Sequence, residues 1–146
     1  MQFIAMIYAD EGTWDAFSDE ERESWYERYR ALGREAEGAG VLAGGNELAS
    51  TRDATTVRVR SDDTLVTDGP YAEVKEALGG FYVFDCESMD EALEWARRCP
   101  DPMPGEESVL EIRPVFEAED FGKQYTPELR AQDERLRSKI ESQRQS

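Results

Sequence analysis

The sequence predicts an α+β fold: an antiparallel sheet of the split β-α-β type, with two helices on one of its faces. Apolar runs of strand length alternate with helical patterns in the order strand, helix, strands, strand, helix, strand. Each of these two helical patterns follows a serine that can open a capping box. The chain has 146 residues, 39% of them hydrophobic, so it can bury about two thirds of its unfolded surface in one core. We expect one domain over residues 1–117 and a mostly helical C-terminal extension over residues 118–146.

The domain begins with a strand and a long helix. Residues 3–8 form an apolar run of strand length, and residues 10–13 form a loop. Ser18 and Glu21 then match a capping box, in which both side chains satisfy free amides at a helix start. The helix should end near residues 38–40, where glycine can adopt a left-handed conformation. One face of this helix should pack on the sheet, because its apolar residues recur at helical spacing: Trp25, Tyr29, Leu32 and Ala36.

Further strands are predicted after this helix. Residues 41–42 start the second strand. Residues 55–60 alternate between apolar and polar side chains, as a half-exposed strand does. After a turn at residues 61–63, residues 65–67 extend that strand or pair with it.

The second half of the domain repeats the pattern of the first. Residues 81–84 form an apolar strand, and Ser88 with Glu91 matches a second capping box. The helix that follows carries its apolar residues at Ala92, Trp95, Ala96 and Cys99. Pro100 ends this helix, and residues 109–115 supply the closing strand.

The C-terminal extension is predicted to be a polar helix. Within the domain, residues 101–105 form a rigid linker before the closing strand. In the extension, Thr126 followed by Pro127 is typical of a helix start. The helix has only a thin apolar line, made of Leu129, Leu136 and Ile140. Such a helix needs a partner surface for stability.

The order of elements predicts a ferredoxin-like sheet, and its uncovered face predicts a homodimer. Residues 81–84 are apolar on both sides of their strand, so the face away from the helices is too apolar to remain in water. Two copies packed sheet against sheet with twofold symmetry would cover that face. We therefore expect a dimeric α/β barrel with a small-molecule cleft in each half, between sheet, helix and loops.

Composition excludes several classes of function. The chain has 33 acidic and 17 basic residues, a formal net charge of -16, so nucleic acid and anionic membrane surfaces are repelled and direct binding to either is not expected. It has no histidine, which removes the commonest general base and the commonest transition-metal ligand. Neither a calcium-binding loop nor a phosphate-binding glycine loop occurs. We predict no metal site and no cofactor.

The cysteines and the N-terminus predict a cytoplasmic protein. Cys86 and Cys99 are too few for a disulfide framework and belong to no C-x-x-C pair. No apolar run approaches the roughly 18 residues of a membrane-spanning helix. Residues 1–10 read as a strand rather than as a signal peptide.

One stretch carries a family resemblance. Residues 66–82, VTDGPYAEVKEALGGFY, resemble the signature of the DGPF branch of YCII-related proteins, with Tyr71 where phenylalanine usually stands. Four other segments also resemble the family: the first strand with Tyr8, Gly44-Gly45, residues 90–96 and residues 111–115. Together these segments extend over about residues 1 to 117.

The resemblance implies a dimeric ferredoxin-like barrel of largely unassigned activity. Small-molecule isomerases, dehalogenases and monooxygenases share this fold, and members of the family are often encoded beside extracytoplasmic sigma factors. Related YCII proteins are thought to use a histidine and an aspartate in the cleft, and this chain has no histidine for that pair. Fold likeness alone does not give function.

Asp68 is the candidate catalytic residue. If it faces the cleft at the end of its strand, partial desolvation by Tyr71, Phe81 and Tyr82 would raise its pKa towards that of a general base. The structural alternative is that Asp68-Gly69-Pro70 forms a turn, in which glycine adopts a positive φ and the proline fixes the following bond.

Five residues are candidates for substrate binding. Lys75 could hold a substrate carboxylate, or it could pair with neighbouring acidic residues on the surface. The other four are aromatic and could stack on a ligand: Tyr8, Trp14, Tyr71 and Tyr82. Tyr8 ends the first predicted strand and Trp14 follows it. The alternative for both residues is that they belong to the hydrophobic core.

Two hypotheses of function remain open. In the first, the cleft carries out cofactor-free proton transfer of the isomerase, lyase or dehalogenase type, with Asp68 as base and Lys75 or backbone amides stabilising negative charge. In the second, the dimer senses a metabolite or binds a protein partner such as a sigma factor, with the C-terminal helix as the contact surface. A purely structural dimer would need a closed, empty cleft.

Overall fold

The computed structural model describes residues 1–101 and 107–145. It divides into two compact units, Met1–Pro114 and Val115–Ser146. Most of the predicted linker over residues 101–105 lies outside the described residues. The first unit contains β1 (Gln2–Asp10), α1 (Glu11–Asp15), α2 (Asp19–Gly38), β2 (Leu42–Glu47), a 3-10 turn (Thr51–Asp53), β3 (Thr55–Val59), β4 (Thr64–Asp68), β5 (Glu76–Asp85), α3 (Met89–Ala96) and β6 (Val109–Pro114).

Four strands form an antiparallel sheet in the order β2-β5-β1-β6. The two middle strands pair along almost their whole length, with Phe3 opposite Phe84 and Ala5 opposite Tyr82. β3 and β4 form a separate two-stranded sheet. The α+β class and the antiparallel sheet predicted from the sequence are therefore confirmed.

Both long helices of the first unit begin where the sequence predicts. The Ser18 hydroxyl accepts from the Glu21 amide, and the Glu21 carboxylate accepts from the Ser18 amide, so the capping box is complete. At α3 the Ser88 hydroxyl accepts from the Glu91 amide, but the Glu91 carboxylate accepts from the amide of Glu87 instead. The serine cap forms in both helices, whereas only α2 has the reciprocal bond to the capping residue itself.

The core lies between the sheet and the two helices. Along β1 the side chains at positions 3, 5 and 7 are buried, and those at positions 4, 6 and 8 are half-buried. The buried set includes three residues of the apolar stripe predicted for α2 and the aromatic pair at the sheet centre: Trp25, Leu32, Ala36, Phe3 and Phe84. One face of the sheet is thus packed, and the other keeps partly exposed apolar side chains.

Three elements differ from the sequence prediction. α3 ends at Ala96, so Cys99 lies beyond the helix that was predicted to carry it. Residues 10–13 were expected to be a loop, but a five-residue helix begins at Glu11, because the Asp10 side chain accepts from the Gly12 amide and caps it. β5 begins at Glu76, five residues before the predicted strand at residues 81–84. Gly79 and Gly80 hide the strand pattern in the sequence. Gly80 pairs with Ile7 of β1, and Gly79 lies at the register shift beside that pair.

The second unit contains a 3-10 segment (Ala118–Gln124) and the helix α4 (Pro127–Arg144). Thr126 caps α4 and Pro127 is its first residue, as predicted. The three residues of the predicted apolar line of α4 are between 42% and 57% exposed: Leu129, Leu136 and Ile140. Within the described ranges, no helix is both long enough and apolar enough to cross a membrane.

Candidate functional site

A cavity of about 770 Å³ lies within the first unit. β1 and β5 form its floor, α1 and α2 form its walls, and the end of β2 with the residues after it completes the rim. The lining residues come from these five segments: Ile7, Ala9, Asp10, Glu11, Trp14, Asp15, Tyr26, Tyr29, Arg30, Gly33, Gly45, Asn46, Glu47, Leu48, Ala49, Ser50, Ala77, Gly79, Gly80, Phe81 and Tyr82.

Glycines allow the backbone to approach closely on one side of this cavity. A Cβ at Gly45 would lie 2.7 Å from the Phe81 carbonyl oxygen, and one at Gly80 would lie 3.0 Å from the Asn46 carbonyl oxygen. β2 and β5 therefore pair here at a distance that side chains would not permit. Gly33 of α2 has open space where its Cβ would be, so the absence of a side chain there leaves volume to the cavity.

Aromatic side chains form much of the wall. The Trp14 ring packs edge-on against Tyr26, with 5.6 Å between ring centroids. The Tyr82 hydroxyl donates to the Tyr29 carbonyl oxygen at 3.2 Å, and the Tyr29 hydroxyl donates to the Pro100 carbonyl oxygen at 3.1 Å. Burial raises the pKa of Tyr82 to about 12 and raises the pKa of Tyr29 further. Both phenols are therefore neutral across the physiological range.

Carboxylates stand around the opening. The Asp10 carboxylate caps α1, and the Glu11 carboxylate accepts from both the amide and the hydroxyl of Thr51. The Asp15 carboxylate pairs with the guanidinium of Arg52 at 2.9 Å. These bonds fix α1 against the segment that follows β2, so the short helix is held as one wall.

Glu47 and Tyr26 form the one pair of titratable side chains bonded directly to each other among the described lining residues. The Tyr26 hydroxyl donates to the Glu47 carboxylate at 3.1 Å. Burial, and then the charge of Glu47, raises the pKa of Tyr26. This pair places a carboxylate acceptor and a phenol donor side by side at the rim.

Two of the predicted site residues line the cavity, and the other four lie elsewhere. Trp14 and Tyr82 are part of its wall. Tyr8 belongs to the alternate set of β1 side chains on the other sheet face, where its hydroxyl lies 3.9 Å from the Met6 sulfur. The remaining three, on β4 and the segment between β4 and β5, are exposed: Asp68, Tyr71 and Lys75.

The Asp68-Gly69-Pro70 segment bends the chain at the end of β4, with the positive φ at Gly69 that the structural alternative expects. Gly69 has a φ of 95°, in the left-handed region. Its amide donates to the Ala54 carbonyl oxygen and its carbonyl accepts from the Thr56 hydroxyl, both at 2.7 Å. The glycine thus anchors the end of the β3–β4 hairpin. Tyr71, two residues on, is 77% exposed.

Sequence reasoning missed the carboxylates at the rim. Asp10 and Gly12 carried a usable signal, because an Asx residue two positions before a glycine often caps a short turn. Glu47 had none, since nothing in a single sequence places the end of β2 beside Tyr26, which is 21 residues away. In the described part of the chain, no group of three or more Cys, Asp or Glu side chains could hold a metal ion.

Two comparisons with known proteins identify the family of this chain. A family model described as the YCII-related domain matches residues 1–119. An uncharacterized protein of Rhizobium meliloti (strain 1021) is 40% identical over 115 residues, which cover 79% of this chain and 92% of that protein. This chain belongs to the YCII-related family.

Proposed function

We propose that this protein binds a small organic molecule in the cavity of its first unit and acts on it by proton transfer without a cofactor. The observation that carries the proposal is the cavity itself, because about 770 Å³ with aromatic walls and a few polar groups is typical of small-molecule sites. Apolar walls supply binding energy, and the carboxylates at the rim orient the ligand.

The base is one of two carboxylates. Glu47 lies in the cavity lining, next to the Tyr26 hydroxyl. It could accept a proton from a carbon acid, and the Tyr26 hydroxyl, which donates to Glu47 in the free protein, would then turn to donate to the substrate oxygen that gains charge. Asp68, the candidate from the turn motif, lies at the end of β4 outside the lining. The position of Glu47 favours it over Asp68, and the chain has no histidine that could take the role instead.

Exchange of carbon-bound hydrogen for deuterium tests this chemistry without knowledge of the substrate. A panel of ring ketones and lactones in D₂O is followed by proton NMR with the unmodified protein, with Glu47→Gln, with Asp68→Asn and with Glu23→Gln. Glu23 is an exposed residue of α2 outside the lining, so its variant is the control. We expect catalysed exchange that is lost in Glu47→Gln alone. Loss in Asp68→Asn alone would assign the base to Asp68, and no exchange with any member of the panel would contradict the catalytic part of the proposal.

We propose further that two copies form a ferredoxin-like dimeric barrel. The strand order β2-β5-β1-β6 and the two helices on one face support this arrangement. The opposite face presents a set of half-buried or exposed apolar side chains, and β6 adds Glu111 and Arg113 to the same face. The apolar set is Ile4, Met6, Tyr8, Leu78, Phe81, Val83 and Val109. A second copy packed on this face would remove that apolar area from water.

The second candidate function is a non-catalytic module that senses a metabolite or binds a protein such as a sigma factor. It is favoured by the exposed apolar line of α4, Leu129, Leu136 and Ile140. Binding of a purified sigma factor to the protein and to a Leu136→Glu variant tests it. Binding that is lost in the variant would support the module, and absence of binding by the unmodified protein would contradict this partner.

A further inference from the structure

We infer that the cavity is selective for a small organic cation, namely an ammonium group attached to an apolar or aromatic body. This inference rests on the proposed function, since it names the class of molecule that the same cavity would hold. Three features of the cavity lead to it: the negative charge of the lining, the contacts that the nearby arginine side chains already make with other residues, and the aromatic walls.

The charge of the lining is negative. Its ionisable groups, apart from the tyrosines, are four carboxylates and one guanidinium: Asp10, Glu11, Asp15, Glu47 and Arg30. Four negative charges and one positive charge leave a formal charge of -3. The net charge of the whole chain, -16, has the same sign. An organic cation is therefore attracted towards the opening, and an organic anion is repelled from it.

The arginine side chains near the opening already contact other residues of the protein. Arg30 lies 3.8 Å from a carboxylate oxygen of Glu27 and stands over the Tyr26 ring at 5.9 Å from its centroid. Arg52, outside the lining, pairs with Asp15. Arg22, also outside the lining, donates to the carbonyl oxygens of Trp14 and Asp15. Even when Arg52 and Arg22 are both counted with the lining, the formal charge is still -1. A ligand carboxylate would thus meet more negative than positive charge here.

The walls suit a cation with an apolar body. Trp14, Tyr26, Tyr29 and Tyr82 contribute aromatic rings to the lining, and the negative face of an aromatic ring attracts an ammonium group. The hydroxyls of Tyr29 and Tyr82 are bonded to carbonyl oxygens, so these two residues offer rings rather than polar tips. The carboxylate of Glu47, at the rim, can accept from the ammonium hydrogens.

Three probes of similar size and different charge test the inference: 2-phenylethylammonium, 2-phenylethanol and 3-phenylpropanoate. Affinities are measured by isothermal titration calorimetry at low and high NaCl concentration. We expect the ammonium probe to bind about tenfold more tightly than the alcohol, and the carboxylate probe to bind more weakly than the alcohol. Added salt should reduce the preference for the ammonium probe.

Variants that remove a negative charge but keep the shape of the side chain show which carboxylates cause the preference for the ammonium probe. Glu47→Gln keeps an acceptor for the Tyr26 hydroxyl, and Asp10→Asn keeps a cap for α1. Each variant should bind the ammonium probe about threefold to fivefold more weakly than the unmodified protein does, and its affinity for the alcohol should be unchanged. Glu23→Gln changes the net charge of the chain by the same amount but lies outside the cavity, so it should alter the affinity for neither probe.

The outcomes separate this inference from the proposed function. If the alcohol or the carboxylate probe binds as tightly as the ammonium probe, and Gly33→Leu abolishes that binding, the cavity holds small molecules but is not selective for cations. If the ammonium probe binds equally well to Glu47→Gln, Asp10→Asn and the unmodified protein, the assignment to these carboxylates is wrong. If none of the three probes binds at millimolar concentration, the cation inference is wrong, and the deuterium exchange test decides the proposed function separately.

Discussion

The Glu11 carboxylate accepts two hydrogen bonds from Thr51, one from its amide at 2.7 Å and one from its hydroxyl at 2.5 Å. These residues are 40 positions apart in the chain. The contact joins α1 to the 3-10 turn after β2, and the Asp15–Arg52 ion pair joins the same two segments again. A five-residue helix is too short to be stable by itself, so we attribute the position of this cavity wall to these contacts.

Removing the Thr51 hydroxyl should loosen that wall. Thr51→Val keeps the shape of the side chain and the backbone bond but deletes one bond to a charged acceptor. We expect a loss of about 1 kcal/mol in the free energy of unfolding, measured by urea denaturation. Thr64→Val, at an exposed position of β4, is the matched control and should change stability little. Equal effects of the two variants would contradict the role of the Glu11–Thr51 contact.

Two adjacent glycines of β2 should respond differently to alanine. A Cβ at Gly45 would lie 2.7 Å from the Phe81 carbonyl oxygen, whereas a Cβ at Gly44 would meet only side-chain atoms of Val83 at ordinary distances of 3.9 Å and more. Gly45→Ala should therefore cost about 1–3 kcal/mol, because the β2–β5 pairing has to move apart. Gly44→Ala should be close to neutral in the same thermal or urea unfolding experiment. Two equally stable variants would show that the close approach is not required.

Alkaline pH should weaken the fold through three half-buried residues, Tyr29, Tyr82 and Cys99. Burial raises the pKa of Cys99 from 9.0 to about 11 and the pKa of Tyr82 from 10.0 to about 12. At a pH between the pKa of a group in the unfolded chain and its pKa in the folded chain, the unfolded chain has released the proton and the folded chain retains it. Stability is therefore full below pH 9 and falls as the pH rises towards 12, by at most about 1.4 kcal/mol per pH unit for each group.

A cysteine variant tests this origin of the pH dependence. Cys99→Ser removes the thiol titration at nearly constant volume, so its unfolding free energy should fall less steeply than that of the unmodified protein between pH 9 and 11. The measurement is urea unfolding at several pH values in the presence of a reducing agent. Parallel pH profiles for the two proteins would mean that Cys99 does not contribute.

A charge on the uncovered sheet face should break the proposed dimer. Val83 lies on that face, opposite Ile4, and Val83→Glu would bury a carboxylate between two sheets. We expect the dimer dissociation constant to rise about a hundredfold, since an unpaired buried charge costs several kcal/mol. Sedimentation velocity at micromolar concentration measures the change, with far-UV circular dichroism to confirm folding. Leu136→Glu on α4 should leave the dimer intact, and dissociation by Leu136→Glu alone would place the interface on the second unit.

The sequence was sufficient for most of the fold because its strongest signals are local. Ser18 with Glu21, Thr126 with Pro127, and the apolar stripe from Trp25 to Ala36 each depend on a few neighbouring residues, and each forms as predicted. The start of β5 could not be placed, because two glycines interrupt its apolar pattern. α1 was missed since five residues are too few for a periodic signal.

The candidate site was predicted only in part, because it is assembled from distant segments. Trp14 and Tyr82 were identified as aromatic residues near strands, and both line the cavity. Tyr26 and Glu47 have no local signal that would pair them, and their contact depends on how α2 packs over the end of β2. The motif at Asp68 is distinctive in the sequence, but Asp68 lies at the end of the β3–β4 hairpin, outside the cavity lining.

The central claim, that small molecules bind in this cavity, is tested most directly by filling it. Gly33 lines the cavity and has open space where a Cβ would lie, and Gly38, on the same helix, has open space outside the lining. Both Gly33→Leu and Gly38→Leu should keep the fold, because leucine is a better helix former than glycine. A fragment panel is screened by saturation-transfer NMR against both variants and the unmodified protein. We predict binders that are lost in Gly33→Leu and retained in Gly38→Leu; binders that persist unchanged in Gly33→Leu would contradict the account.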